Sequence, residues 1–427
     1  MRQKFSRALG GVALLALVVG GATACRADDG GDAGGGDSNQ VCDLKIGFFG
    51  ALSGADSGLV LPGKQAADLA VKQYNAENAD CQVSIQAFDS QGKPELAAGL
   101  ATNAVNDAKV VGIVGPAFSG ESENANPIFQ EAGMPAITQS ATRPTLADKG
   151  WTIFHRGIGN DFSQGPAAAN YIKDSLQAQK VFVVDDQSAY GAGLADEVRK
   201  VLGPLVVASD KATDNQNEFG GIISKVRTSG ATALFYGGYT EEASPFLKQL
   251  RASGWTGTFV GGDGIYDANM LSVTGNADVE GTIATCPCAP ATEAQGTFVE
   301  DFQAEYNAPP GVYADVSYDV TKICLEAIGE GNDTREEILA FLEDYNKPGA
   351  ATGVTYQWDD KGELNPDQVR VWAYKATGGA WAPDKEIPKA GPTERRLGSG
   401  RSAARFGLSA HPTPVRPGVT SRPHLAD

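Results

Sequence analysis

Residues 110–138 read VVGIVGPAFSGESENANPIFQEAGMPAIT. The first five form an apolar run of strand length, and Gly115-Pro116 marks a turn. A segment of helical length follows, Ala132-Gly133 punctuates it, and residues 136–138 read as a second short strand. Strand, helix and strand in this order form the repeating unit of a parallel, doubly wound sheet. Upstream, residues 44–49 and 83–88 read as further strands. Helices are expected over 64–78 and 95–107, the second with Pro94 in its first turn, where proline is tolerated.

The pattern starts afresh after Asn160. Strands are expected at 181–184, 232–236 and 258–261, with helices near 166–177, 192–202, 218–229 and 241–253. Residues 237–260 repeat the turn, helix, Ser-Gly, strand order of 115–138, which points to two similar halves. Beyond Cys288 come helices near 297–306, 312–328 and 334–345, the last opened by the capping box Thr334-Arg335-Glu336-Glu337. Residues 354–358 and 368–374 are expected to pair as antiparallel strands around Asp359-Asp360-Lys361-Gly362.

The ends of the 427-residue chain are of other kinds. Arg2, Lys4 and Arg7 precede an uncharged run from Ala8 to Ala24, the form of a secretory signal. Cys25 directly after Gly-Ala-Thr-Ala resembles the lipobox of bacterial lipoproteins, which implies cleavage after residue 24 and acylation of the Cys25 thiol. Residues 25–40, rich in Gly and Asp, read as a flexible tether. Residues 389–427 read as a disordered basic tail; six Arg and five Pro lie in 391–427. The expected location is extracytoplasmic, lipid-anchored to the cell membrane. A formal net charge of −17 argues against nucleic acid or anionic lipid as a partner. In an oxidising compartment Cys42 and Cys81, each just before a strand, form a sensible disulfide. Of Cys286, Cys288 and Cys324, the preferred pairing joins Cys324 to one of the other two, since Cys286-Pro287-Cys288 is tight for an internal bond. Three thiols without a fourth ligand make a poor zinc site, and no metal or cofactor is expected.

Ligands of open α/β sheets bind beyond the carboxyl ends of the strands, so the loops there hold the candidate chemistry. Ser119 follows the third strand, and Ser140-Ala141-Thr142 follows the fourth. Hydroxyls and backbone N–H groups at such helix starts suit a carboxylate. In the second half Tyr190, Tyr239 and Asp263 follow successive strands and offer aromatic walls with an acid for a cation. Carboxylate donors on one half and an acid on the other describe an α-amino acid. Each residue also has a plainer role: Ser119 and Thr142 as helix caps, the tyrosines as packing, Asp263 as a turn residue.

These segments resemble the branched-chain amino-acid substrate-binding proteins of ABC transporters, the Leu/Ile/Val type within the type I periplasmic binding proteins. The resemblance is carried by 47–54 (GFFGALSG), 111–138, Ser140-Ala141-Thr142-Arg143-Pro144, 161–172 (DFSQGPAAANYI), Tyr190-Gly191, 235–239 (FYGGY) and 261–264 (GGDG). It implies two Rossmann-like lobes joined by three crossover segments and closing on the ligand. Lobe one would comprise 41–160 and 288–366, and lobe two 161–287 and 367–388. By the same resemblance, Ser119, Ala141 and Thr142 would hold the α-carboxylate. The Ser140 carbonyl and Asp263 would take the ammonium, with Tyr190, Tyr239 and Tyr313 lining the pocket. Asp263 stands where the family commonly has Glu, and Leu59-Val60-Leu61 where it presents a pocket aromatic. The expected ligand is a branched-chain or other aliphatic amino acid, the expected partner an ABC permease, and the expected state a monomer. The rival of the same fold is an amide- or amino-acid-sensing receptor domain. Catalysis is not expected: His155 is the only histidine before the tail, and Tyr190-Gly191-Ala192-Gly193 does not complete a dinucleotide fingerprint.

Overall fold

A computed structural model describes residues 43–213 and 216–389. The expectations for Cys25, the tether, Cys42 and the basic tail lie outside them, so the Cys42–Cys81 pairing is not tested; Cys81 itself is buried.

The first half builds β1 (Leu44–Gly50), α1 (Leu61–Glu77), β2 (Val83–Asp89), α2 (Pro94–Asn106), β3 (Val110–Val114), α3 (Ser119–Glu131), β4 (Ala136–Thr138) and β5 (Phe154–Arg156). Its five strands form one parallel sheet in the order β2-β1-β3-β4-β5. The second half adds α4 (Asp161–Asn170), β6 (Val181–Asp185), α5 (Ala189–Leu202), β7 (Val206–Lys211), α6 (Gly220–Ser229), β8 (Ala233–Gly237), α7 (Thr240–Ala252), β9 (Thr258–Gly261), α8 (Ala268–Thr274), α9 (Asn276–Val279) and β10 (Ile283–Cys286). These strands run β10-β9-β8-β6-β7, again parallel and in the same winding as the first sheet. β3, β6 and β8 are buried at every residue, which is why they read as unbroken apolar runs.

The chain then returns through α10 (Phe298–Tyr306), α11 (Ala314–Gly329) and α12 (Arg335–Glu343), α11 packing on α1 of the first half. Thr334 and Glu337 form the expected capping box. A short ribbon, β11 (Lys347–Pro348) with β12 (Thr355–Tyr356), precedes β13 (Val371–Thr377) and β14 (Ala380–Ile387). β13 pairs antiparallel with β10 and β14, completing the seven-stranded second sheet. The fold is therefore the α/β architecture of two doubly wound lobes. The chain passes between their sheets after β5, after β10 and before β13.

Several expectations are corrected. Segments 354–358 and 368–374 do not pair: β12 joins β11, while β13 crosses into the second sheet, where the edge of β10 supplies a longer ladder. α4 begins at Asp161 rather than near 166, because the Asn160 side chain caps it and Pro166 is accommodated inside. β5, β7 and β10 had no expected counterpart; β5 is three residues that include His155 and Arg156, and β7 is an edge strand with alternating exposure. Cys324 bonds to neither cysteine. Cys286 and Cys288 form a disulfide with each other at a Cα–Cα separation of 5.0 Å. The turn at Pro287 brings them together, whereas Cys324 lies on α11 with its sulfur against β3 near Gly112.

Candidate functional site

The site assembles where loops after β3, β4, β8 and β9 meet the start of α5 and two crossover-adjacent helices, α4 and α11. At its centre Asp263 is buried between Gly262 and Gly264. Tyr190 donates its hydroxyl to Asp263 Oδ1 at 2.9 Å, and Tyr313 donates to Oδ2 at 2.5 Å. The glycines explain why the acid is flanked as it is. A Cβ at Gly262 would stand 2.2 Å from the Tyr190 hydroxyl, and one at Gly264 would stand 2.8 Å from its ring. Burial holds the hydroxyls of Tyr190, Tyr239 and Tyr313 well above the usual tyrosine range, so they remain donors. Burial also raises the Asp263 carboxyl, against the lowering effect of the Tyr313 hydrogen bond.

A second acid completes this end. Asp161, the first residue of α4, is fully buried, and neither of its carboxylate oxygens has a hydrogen-bond partner. Burial first, and then the charge of Asp263, push its pKa well above the ordinary value. The Thr142 hydroxyl and Gln164 Oε1 are likewise buried and unpartnered. Buried polar atoms are nearly always paired, so this concentration of acceptors with a free hydroxyl suits a ligand carrying a cationic group.

The loop presenting Thr142 is held from behind by Arg156. This fully buried guanidinium donates to the Ala141 carbonyl, to the Arg143 carbonyl at 3.0 Å, and to both oxygens of Glu363 at 2.9–3.1 Å. Ser140 donates its hydroxyl to the Ala117 carbonyl at 2.8 Å, tying the β4 loop to the β3 loop. Ser119 Oγ accepts the Arg143 N–H at 3.3 Å and keeps its own proton available. The Ala141 N–H donates to Thr138 Oγ1 at 3.0 Å. The donors left for a carboxylate are therefore chiefly the hydroxyls of Ser119 and Thr142.

The apolar end is aromatic. Tyr239 lies 4.9 Å from Tyr190 and meets Phe118 edge-on at 4.9 Å, centroid to centroid, across the two halves. The halves also touch through Arg143 Nη1 donating to the Ala189 carbonyl at 2.9 Å, and through the Glu241 N–H donating to Asp56 Oδ1 at 3.0 Å. This is the closed arrangement of a two-lobed clamp.

A family model described as periplasmic binding protein matches residues 43–378. The chain belongs to the periplasmic binding protein family. It is 29% identical over 347 residues to the leucine-specific-binding protein of Salmonella typhimurium, covering 79% of this chain and 92% of that one. It is 27% identical over 344 residues to the Leu/Ile/Val-binding protein of Escherichia coli, with coverage of 79% and 92%. Among solved structures it resembles the branched-chain amino acid transporter substrate binding protein of Streptococcus pneumoniae in complex with isoleucine. That match has a TM-score of 0.74 and 26% identity, and covers 81% of this chain and 99% of the other. As a periplasmic binding protein the chain is extracytoplasmic and a binder rather than an enzyme. His155 fits that reading: it is buried in β5 beside Trp358, and burial lowers its pKa to about 4. Among the described residues no His, Cys, Asp and Glu cluster suited to a metal occurs.

The structure thus draws Asp263, Tyr190 and Tyr313 into direct contact, sets the Tyr239 ring against Tyr190 at a tilt, and places Ser119 and Thr142 on the loops after β3 and β4. Tyr190 and Tyr313 serve the acid with their hydroxyls rather than only lining a wall. Leu59 and Val60 are buried in the same apolar cluster as Phe118 and Tyr313. Sequence reasoning missed Asp161, Gln164, Arg156 and Phe118. Arg156 ends β5 and Asp161 follows it by a short loop; the strand is too short and polar to leave a periodic signal. Phe118 precedes a site residue but reads as ordinary packing.

Proposed function

We propose that this periplasmic binding protein is the substrate receptor of an ABC importer and binds an amino acid, branched-chain or otherwise aliphatic, between its closing lobes. The observation that carries the reading is the pair of buried carboxylates, Asp263 and Asp161, together with the Ser119 and Thr142 hydroxyls at the same site. The ammonium of an amino acid meets the acids and its carboxylate meets the hydroxyls. Its side chain then faces the rings of Tyr239 and Phe118. The named relatives bind leucine or the Leu/Ile/Val set, and the structural neighbour holds isoleucine.

Ligand bridging both lobes favours the closed form because only there does it touch both. In this proposal the lobes divide at 160/161, 287/288 and 366/367, and the closed monomer is recognised by permease subunits. Cys25 carries the lipid that keeps the receptor near them, and Cys42 bonds Cys81. A thermal-shift screen of all amino acids and simple amides tests the reading. Ligand at 100 times its dissociation constant adds about 2.7 kcal/mol of stability. Stabilisation by leucine, isoleucine or valine is expected; a response to amides alone would transfer the protein to the sensing class.

A further inference from the structure

The three crossovers enclose a cavity of their own, away from the amino-acid site. Residues 157–159, 287–289 and 368–370 each supply a wall, and the start of α11 supplies another with Asp315 and Val316. Its volume is about 70 Å³. At roughly 10–15 Å³ per water-sized centre, that is room for about five waters or a ligand of about five heavy atoms. Most of the lining is apolar, including Ile158, Val354 and Leu364, and the Cys286–Cys288 disulfide borders it through Cys288.

One charged group of α11 faces this space. Asp315 accepts the Val316 N–H at 2.9 Å, and among the described residues it makes no ion pair. Arg370 on the rim is already held by Glu293 at 3.2 Å and Glu386 at 2.8 Å. Burial, helped by the nearby charge of Asp319, raises the Asp315 carboxyl to about 7. A carboxylate in an apolar chamber without a counter-charge is stabilised by a cation that brings its own apolar tail. The crossovers are also packed tightly on one another: a Cβ at Gly159 would stand 2.2 Å from a Val369 methyl. Contents of this chamber therefore touch every segment that must bend when the lobes part.

We propose that the hinge cavity is a second ligand site, for a small primary alkylammonium ion whose charge meets Asp315. Its occupancy in this closed arrangement favours closure and so strengthens amino-acid binding at the main site, with equal reciprocal coupling. The direct half of the test does not depend on the proposed function. Isothermal titration of the full chain with n-butylammonium chloride is expected to show saturable one-to-one binding. Asp315→Asn, which keeps the shape, should weaken it by roughly tenfold or more, and Val354→Phe, which fills the chamber, should abolish it. Wild-type circular dichroism and a cooperative thermal melt from both variants show that they fold. Saturating n-butylammonium should tighten leucine binding, or that of whichever amino acid the screen identifies, in wild type and not in Asp315→Asn. Absence of saturable binding, or equal binding by wild type and both variants, would overturn the site. Saturable binding that leaves the amino-acid affinity unchanged would overturn the coupling.

Discussion

Replacing Asp263 by Asn tests the centre of the amino-acid site. The side chain keeps its shape, and Asn can still accept one of the two hydroxyls that reach it at 2.9 and 2.5 Å. The other tyrosine must rotate to accept from the new amide, a modest loss. What disappears is a full negative charge in a desolvated site, opposite the ammonium of the ligand. Truncating one member of a buried, hydrogen-bonded charge pair costs about 2–4 kcal/mol. That corresponds to a roughly 30- to 1000-fold weaker dissociation constant. The ligand-free protein should respond differently. Burial already raises the Asp263 carboxyl, and the charge of Asp263 in turn raises Asp161, so removing it relieves like-charge repulsion. The expected signature is weak leucine binding by calorimetry together with an unchanged or higher melting temperature without ligand. Wild-type affinity in Asp263→Asn would refute the assignment, and a lower melting temperature with lost binding would reduce it to a structural defect.

Arg156→Ala should destabilise the fold by about 3–5 kcal/mol in urea unfolding, since it strands Glu363 and frees the carbonyls of the Thr142 loop. Gly262→Ala should weaken ligand binding and lower stability by about 1–3 kcal/mol, because its methyl meets both the Tyr190 hydroxyl and the buried Leu194 side chain; calorimetry and thermal melts of the variant check this. Stability should also rise as pH falls from 8.5 to 6.5. Glu121 is fully buried, and burial lifts its pKa from 4.5 to about 7 despite hydrogen bonds from Ser90 and the Phe118 N–H. A raised carboxyl contributes stability that is complete below its unfolded value and is lost as pH rises through the folded one. Over this window Glu121 contributes about 0.8 kcal/mol, and Glu121→Gln should reduce the slope by that amount in pH-dependent melts, leaving the part due to Asp315. The depressed His155 acts in the opposite sense: its unfolded form is half protonated at pH 6.5, which offsets about 0.4 kcal/mol at the lower end of the window.

The strands that could be read directly were those covered on both faces. β3, β6 and β8 are apolar at nearly every position because helices bury both sides of the sheet, and the period of the helices between them follows from one apolar face each. Placement of the site loops at the carboxyl edges followed from the winding alone. Ser119, Thr142, Tyr190, Tyr239 and Asp263 were therefore within reach of sequence. Tyr313 needed the family resemblance, since it precedes a helix and follows no strand.

Local chemistry in this sequence determined the two windings, most helix boundaries and the loops that could bind. Tertiary structure decided everything that depends on which loops face one another. Asp161 and Asp263 are 102 residues apart in number, and only the folding of the second lobe, which sets the start of α4 beside the loop after β9, makes them neighbouring buried charges. Arg156 finds Glu363 across 207 positions, a pairing no local pattern encodes. The destination of β13 was decided in the same way, by an open edge on β10 that exists only once the second sheet has formed. Periodicity records which face of an element meets a core; long-range electrostatics and free strand edges leave no such local mark.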